Sequence, residues 1–177
     1  MEKPVVSVIV PAYNAQDCIE KAIRSVLAQT LVNLEIIVVD DCSTDSTVKV
    51  IADLALEDSR VKFFQNPQNG GPGQARNIGI KESKGEWIAL LDSDDWYEPA
   101  RLEKMILAAN TLDLNIAADN QKFMVQGSNL PKHLLTENDK VDVRPLSIEE
   151  YFEGDKISRG SRNLGLFKPI IRRRLLE

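Results

Sequence analysis

The stretch EWIALLDSDDW, residues 86–96, passes directly from apolar residues to three closely spaced carboxylates. Its apolar half shows no alternation with polar residues, which is typical of a strand buried on both faces of a parallel sheet. Asp92, Asp94 and Asp95 then crowd the end of that strand. Because like charges repel, their spacing favours a divalent cation between them, either Mg²⁺ or Mn²⁺. The alternative is a solvated acidic turn ahead of a helix that starts near Pro99.

The same succession of a short apolar run and a helical pattern fills the first 119 residues. Strands are predicted at 5–10, 34–39, 61–65, 86–91 and 114–119. Helices are predicted at 16–29, after the candidate N-caps Ser43 and Thr44, at 74–83, and from Pro99 onward. This alternation predicts an α/β fold with a mostly parallel sheet flanked by helices. The weaker patterns beyond it predict a loop or hairpin at 120–145 and a short helix at 147–153.

Polar clusters follow each of the first four predicted strands, and ligands of open α/β sheets bind beyond the carboxyl ends of the strands. The clusters are Pro11 to Asn14, Asp40 with Asp41, Asn69 to Gly73, and Asp92 to Asp95. Each has a simpler explanation when taken alone, such as a helix cap for the aspartates, a turn for the glycines and packing for Tyr13. Parallel strands bring all four to one edge, and this coincidence favours a ligand site.

Composition narrows the class of protein. The 177 residues carry a formal charge of -5, which disfavours binding of nucleic acid through net charge and fits one globular domain. Cys18, Cys42 and His133 lack the spacing of a zinc site. The amino-terminal apolar run is too short for a signal or a membrane span, which predicts a cytoplasmic protein. The segment KPIIRRRLLE, 168–177, is either a peripheral contact with the inner face of a membrane or a solvated helix end.

Five motifs together resemble the family 2 glycosyltransferases, which have the GT-A fold and use nucleotide sugars as donors. They are VSVIVPAYNA at 6–15, SVLAQT at 25–30, EIIVVDDCSTDST at 35–47, NGGPGQARNIGI at 69–80 and GEWIALLDSDDWYEP at 85–99. The resemblance covers essentially the first 120 residues. It implies that residues 1–119 form the nucleotide-sugar-binding portion and that 120–177 begin the acceptor-side segment of the same domain, which we expect to be incomplete at its carboxyl end.

The resemblance implies a role for several residues at the first two strand ends. Pro11, Ala12 and Tyr13 are expected to line the nucleotide base. Asp41 is expected to accept a hydrogen bond from a ring nitrogen of the base, and its neighbour Asp40 to share that role.

At the fourth strand end, the resemblance identifies Asp92-Ser93-Asp94 as the family's DxD element. Asp94 is expected to hold the metal that bridges the diphosphate, and Asp92 to contact the ribose or assist the metal. Arg76 is expected to face the phosphates or the sugar. Asp95 is expected to act around the metal ligands or to bind the donor sugar.

The activity that the resemblance implies is inverting transfer of a sugar, in the first place from a UDP-sugar, to a saccharide or lipid-linked acceptor in polysaccharide biosynthesis. The family's general base lies in a later acidic element. Because Glu149, Glu150, Glu153 and Asp155 lack its usual surroundings, we expect the base beyond residue 177.

Two alternatives stay open at this point. One is a donor-binding module without the base. The other is a phosphotransferase of the haloacid-dehalogenase kind, which is disfavoured because no small hydroxyl or β-branched residue follows the aspartates. Nothing in the sequence specifies an oligomeric state.

Overall fold

The computed structural model describes residues 2–119 and 168–176, together with the backbone of 122–123 and 132–133. Its strands are β1 Val6–Ala12, β2 Leu34–Asp40, β3 Val61–Gln65, β4 Trp87–Leu90, β5 Ile116–Ala117, β6 Lys122–Phe123, β7 Lys132–His133 and β8 Ile170–Arg172. Its helices are α1 Ile19–Leu27, α2 Thr47–Glu57, α3 Gly71–Glu82 and α4 Arg101–Thr111, and a 3-10 turn covers Arg173–Leu175. The predicted helix at 147–153 lies outside the described residues.

The main sheet has the strand order β3-β2-β1-β4-β8-β5 among the described residues. Strands β1 to β4 run parallel, and β8 lies antiparallel between β4 and β5. Strands β6 and β7 pair antiparallel with each other, in agreement with the hairpin alternative for 120–145. The prediction of a mostly parallel sheet flanked by helices is therefore confirmed.

Helices cover both faces of this sheet because its central strands are apolar on both sides. Side chains of α1, α2 and α4 pack with one face of the strands in the larger core cluster. The opposite face carries a smaller cluster, in which Ala75 of α3 packs with Ile9, Ile37 and Ile88. Every residue of β1 and β2 is buried, which explains the uninterrupted apolar runs that the sequence shows.

The predicted elements of the described part are present with shifted bounds. Strand β1 continues to Ala12, beyond the predicted end at 10, because Pro11 and Ala12 stay in register with Val39 and Asp40. Helix α3 begins at Gly71 instead of 74, since Pro72 in a first turn loses no helical hydrogen bond. Strand β5 covers only 116–117 of the predicted 114–119, because its partner β8 is itself short.

The prediction that Ser43 or Thr44 caps a helix is wrong. Helix α2 begins at Thr47 with Ser46 as its N-cap, so both candidates lie in the loop before it. There the Ser43 hydroxyl accepts from the Asn14 amide, and the Thr44 amide donates to Asn14 Oδ1, so both residues bond to the neighbouring loop instead.

The prediction of a solvated helix end at 168–177 is also wrong, because Ile170 is fully buried in β8. The arginines that follow bind within the fold. Arg172 pairs with Glu86, Arg173 donates to the Ser83 carbonyl, and Arg174 donates to Asn115. Contact of this segment with a membrane stays a prediction. Among the residues described, no helix has the length and apolar character that crossing a bilayer requires.

Candidate functional site at the carboxyl edge of the sheet

A cavity of about 460 Å³ lies at the carboxyl ends of the parallel strands, within the size range of small-molecule sites. Its lining comes from the ends of β1, β2 and β4 and from the start of α3, which the parallel register places side by side. The lining residues are Pro11, Ala12, Tyr13, Asp41, Asn69, Gly71, Pro72, Ala75, Arg76, Asp92, Ser93 and Asp94. The cavity lining thus brings together every site residue predicted above except Asp40 and Asp95.

Asp41 is the most heavily bonded carboxylate of this cavity. It is 3% exposed and accepts hydrogen bonds from the Asn66 side chain at 2.7 Å, the Gly70 amide at 3.0 Å and the Gly71 amide at 2.7 Å. Burial alone would raise the pKa of Asp41, but these donors outweigh it and hold the pKa below its ordinary value. The Gly70 amide is shared between the two oxygens, at 3.0 Å from Oδ1 and 3.2 Å from Oδ2, so an N–H group of a ligand would share an oxygen with these donors.

Asp40 has a different environment, although it is the neighbour of Asp41. It is fully buried as the last residue of β2. Its Oδ2 accepts from the Ser43 amide at 3.1 Å and from the Gln65 side chain at 3.4 Å. Asp40 therefore shapes the turn after β2 and is not among the residues that line the cavity.

The loops after β1 and β2 are joined by Asn14, which sequence reasoning did not single out. Its φ angle is 46°, a left-handed conformation that asparagine tolerates better than most residues. Its amide donates to Ser43 Oγ at 2.9 Å, and its Oδ1 accepts from the Thr44 amide at 2.9 Å. The adjacent Tyr13 ring is 51% exposed at the cavity, so this junction fixes the backbone that carries a ring suited to stacking.

The carboxylates after β4 form a compact acidic cluster. One oxygen each from Asp92, Asp94 and Asp95 lies within 4.8 Å of the others. The turn is closed by the Asp95 amide, which donates to the Asp92 carbonyl at 3.1 Å. Beneath it, the buried Tyr97 hydroxyl donates to the Leu90 carbonyl at 2.7 Å. The bond between Tyr97 and Leu90 joins the two sides of the turn and therefore helps to keep the like charges together.

Two cations hold Asp92 within this cluster. Arg76 Nη2 lies 2.9 Å from Asp92 Oδ1, and Lys168 Nζ lies 2.6 Å from Asp92 Oδ2. Lys168 also pairs with Asp95. Partial burial would raise the pKa of Asp92, but the Lys168 ammonium and the Arg76 guanidinium together hold it below its ordinary value.

The acidic cluster fits a divalent cation by its chemistry, since carboxylate oxygens are the ligands that Mg²⁺ and Mn²⁺ prefer. Asp94 is exposed and, within 2–119 and 168–176, pairs with no cationic side chain, so it is the carboxylate most available to a metal. Both oxygens of Asp92, by contrast, are already bound by side-chain cations.

Lys168 was predicted only as part of a membrane contact or a solvated helix end, and its place beside the acidic cluster was missed. No local signal points to it, because 73 residues separate it from Asp95 along the chain. Only the antiparallel pairing of β8 with β4 brings it there.

Comparison with known proteins decides the family. The family model described as "Glycosyl transferase family 2" matches residues 7–168, which is most of the chain. The chain belongs to glycosyltransferase family 2. This glycosyltransferase is 41% identical over 175 residues to the succinoglycan biosynthesis protein ExoO of Rhizobium meliloti, covering 98% of the chain and 49% of ExoO. The chain thus spans about half the length of that curated relative.

Solved structures share the fold of this family 2 member. TarS of S. aureus, in complex with UDP-GlcNAc, has a TM-score of 0.60 and 32% identity over 72% of this chain and 37% of TarS. The mannosyltransferase PcManGT of Pyrobaculum calidifontis, in complex with GDP-Man and Mn²⁺, has a TM-score of 0.51 and 30% identity over 57% of this chain and 30% of its own. The predicted GT-A fold is therefore confirmed, and the phosphotransferase alternative is not supported.

Proposed function

We propose that this family 2 glycosyltransferase binds a nucleoside diphosphate sugar, in the first place a UDP-sugar, in the cavity at the carboxyl edge of the sheet. One observation carries the proposal. Asp41, a carboxylate able to accept from a base N–H, lines the same cavity as Asp92 and Asp94, which suit the cation of a diphosphate. The UDP-GlcNAc complex of TarS supports uridine, whereas the GDP-Man complex of PcManGT keeps guanosine as the second candidate.

In this proposal, each lining residue contacts a different part of the donor. The exposed Tyr13 ring packs against the base, and Asp41 accepts from a ring nitrogen. Arg76, whose guanidinium already binds Asp92, supplies positive charge beside the phosphates. Asp94 holds the divalent cation, with Asp92 as its neighbour. When bound, such a cation neutralises charge that develops on the leaving diphosphate, a form of transition-state stabilisation worth several kcal/mol.

We propose inverting transfer as the reaction. The oxygen of an acceptor hydroxyl attacks the anomeric carbon, the bond from that carbon to the diphosphate oxygen breaks, and a general base takes the hydroxyl proton. We place this base in an acidic element beyond residue 177, as the family resemblance implies. Such a base contributes about 10²- to 10⁴-fold to the rate.

The acceptor and the cellular setting are part of the same proposal. The similarity to ExoO, a succinoglycan biosynthesis protein, supports a saccharide or lipid-linked acceptor in the assembly of a polysaccharide. We place this step in the cytoplasm, with peripheral contact at the inner face of a membrane.

A panel of UDP- and GDP-sugars tests the proposed function. Thermal shift of the protein with each compound, with and without Mn²⁺, identifies the donor, and release of the nucleoside diphosphate on adding saccharide acceptors measures transfer. We expect stabilisation by one nucleotide class that depends on Mn²⁺. Stabilisation by no nucleotide sugar would contradict the proposal. Donor binding without turnover, also in a longer form that contains the base, would instead favour the donor-binding module.

A further inference from the structure

The Lys168 ammonium lies between carboxylates of the acidic cluster. Its ammonium is 2.6 Å from Asp92 Oδ2 and also pairs with Asp95, so it bridges two of the three carboxylates. Its side chain is only 20% exposed, which is unusual for a lysine.

The position of Lys168 is imposed by its backbone. The Lys168 carbonyl accepts from Arg101 Nη2 at 2.7 Å. Arg101 is itself held at Asp119 by a 2.6 Å ion pair and over the Tyr97 ring, with the guanidinium carbon 4.3 Å from the ring centroid. Two residues after Lys168, Ile170 is buried in β8. The backbone from which the ammonium reaches the cluster is therefore fixed.

An ammonium and a divalent cation compete for the same carboxylate oxygens. Mg²⁺ requires its oxygen ligands at about 2.0–2.1 Å in near-octahedral geometry. A lysine that donates to those oxygens occupies their lone pairs, and its charge repels a second cation at a distance of a few ångströms. A cation therefore reaches Oδ2 of Asp92 or of Asp95 only when Lys168 withdraws, whereas Asp94 pairs with no cationic side chain among the described residues.

We propose that Lys168 is a tethered counter-ion of the acidic cluster, which balances the charge of the ligand-free protein and competes with the divalent cation for Asp92 and Asp95. This inference rests on the cation site of the proposed function. It assigns to Lys168 a role in setting metal affinity and the order of binding. Asp94 would be available to the metal from the start, whereas Asp92 and Asp95 would offer the oxygens that Lys168 holds only after the ammonium departs.

Binding of Mn²⁺ alone, followed by electron paramagnetic resonance of the free ion, tests this role in four proteins: the wild type, Lys168→Met, Lys168→Arg and Lys49→Met. Lys168→Met removes the competitor, so we expect it to bind Mn²⁺ about three- to tenfold more tightly than the wild type. Lys168→Arg keeps the charge and stays close to the wild type. Lys49→Met removes the same charge from an exposed pair with Asp53 and leaves the affinity unchanged.

The outcomes separate this inference from the proposed function. Equal or weaker Mn²⁺ binding by Lys168→Met overturns the counter-ion role alone. If none of the four proteins binds Mn²⁺ even with UDP present, the cation site of the proposed function is itself wrong. Thermal melting reports whether each variant folds.

A crystal structure of the wild type with Mn²⁺ gives a second test that needs no variant. We expect Lys168 Nζ to lie more than about 4 Å from Asp92 Oδ2, beyond ion-pair distance. An ammonium that stays bonded to Asp92 beside the metal overturns the inference.

Discussion

The amide of Gly71 donates a 2.7 Å hydrogen bond to Asp41 Oδ2 and so ties the first residue of α3 to the end of β2. The same carboxylate also accepts from Gly70 and Asn66. One buried side chain thus sets the geometry of the loop before α3 and lines the proposed donor cavity. We therefore expect both the stability of the fold and the binding of the donor to depend on Asp41.

Asp41→Asn tests this double dependence. The side-chain nitrogen of asparagine donates hydrogen bonds and cannot accept them, so at least one of the donors around it loses its partner. We expect a loss of about 1–3 kcal/mol in the free energy of unfolding, measured with urea, and at least about tenfold weaker binding of UDP. Asp53→Asn, at an exposed pair with Lys49, is the control and leaves both quantities near the wild type. Wild-type UDP affinity in Asp41→Asn would refute its place in the site.

The amino-terminal edge of the sheet predicts a dependence of stability on pH. Glu35 is 2% exposed and accepts from Ser7 Oγ at 2.6 Å, Lys62 Nζ at 2.5 Å and the Lys84 amide at 2.6 Å. Burial alone would raise the pKa of Glu35, but these partners outweigh it and lower the pKa from its ordinary 4.5. The ionised Glu35 therefore stabilises the fold at pH values above its ordinary, unfolded-state pKa. This stability is lost as the pH falls through the folded-state pKa.

Urea unfolding of Glu35→Gln at two pH values measures this contribution. At pH 7 we expect the variant to be about 1–3 kcal/mol less stable than the wild type. Below the folded-state pKa the wild-type side chain is itself neutral, so the difference between the two proteins shrinks. A difference that stays constant from neutral to acid pH would show that the Glu35 charge does not stabilise the fold.

Two glycine substitutions give opposite predictions. A Cβ on Gly85 would lie 2.5 Å from the backbone nitrogen of Ser7, next to the 2.8 Å bond from the Gly85 amide to Ser7 Oγ. Gly85→Ala therefore costs about 1–3 kcal/mol through overpacking. Gly73, within α3, has nothing within 4 Å of an added Cβ, so Gly73→Ala is neutral or stabilises by up to about 1 kcal/mol. Equal melting temperatures of the two variants would contradict the packing at Gly85.

Two substitutions of Asn14 distinguish its role in positioning Tyr13 from the effect of its left-handed backbone. Asn14→Ala removes the bonds to Thr44 through its side chain and places alanine at a φ of 46°, so we expect a lower melting temperature and several-fold weaker UDP binding. Asn14→Gly relieves the strain without restoring the junction. We expect Asn14→Gly to melt at a higher temperature than Asn14→Ala but to bind UDP as weakly, as measured by calorimetry. Full UDP affinity in Asn14→Ala would show that the junction does not position Tyr13.

The placement of the cavity was predictable because it follows from the order of parallel strands. Once the runs before Asp41 and Asp92 are identified as parallel strands of one sheet, both carboxylates must lie at one edge. The direction of individual side chains was less predictable. Asp40 and Asp41 are adjacent and chemically identical, yet only Asp41 lines the cavity, because β2 ends between them.

Contacts from distant segments could not be read from local patterns. Ser43 and Thr44 have the residue types of helix caps, and only the fold reveals that Asn14 is their partner. Lys168 belongs to a basic segment whose charges suggested a surface. The burial of Ile170 in an antiparallel strand decides instead that Lys168 reaches the acidic cluster.

Calorimetric titration of UDP into the wild type and Asp94→Asn, each with and without Mn²⁺, tests the central claim most directly. Asp94 is exposed, so the variant is expected to fold with an unchanged melting temperature. We predict that Mn²⁺ strengthens UDP binding by the wild type and has no such effect on Asp94→Asn. Strengthening by Mn²⁺ of the same size in both proteins would contradict a donor site built around a cation at Asp94.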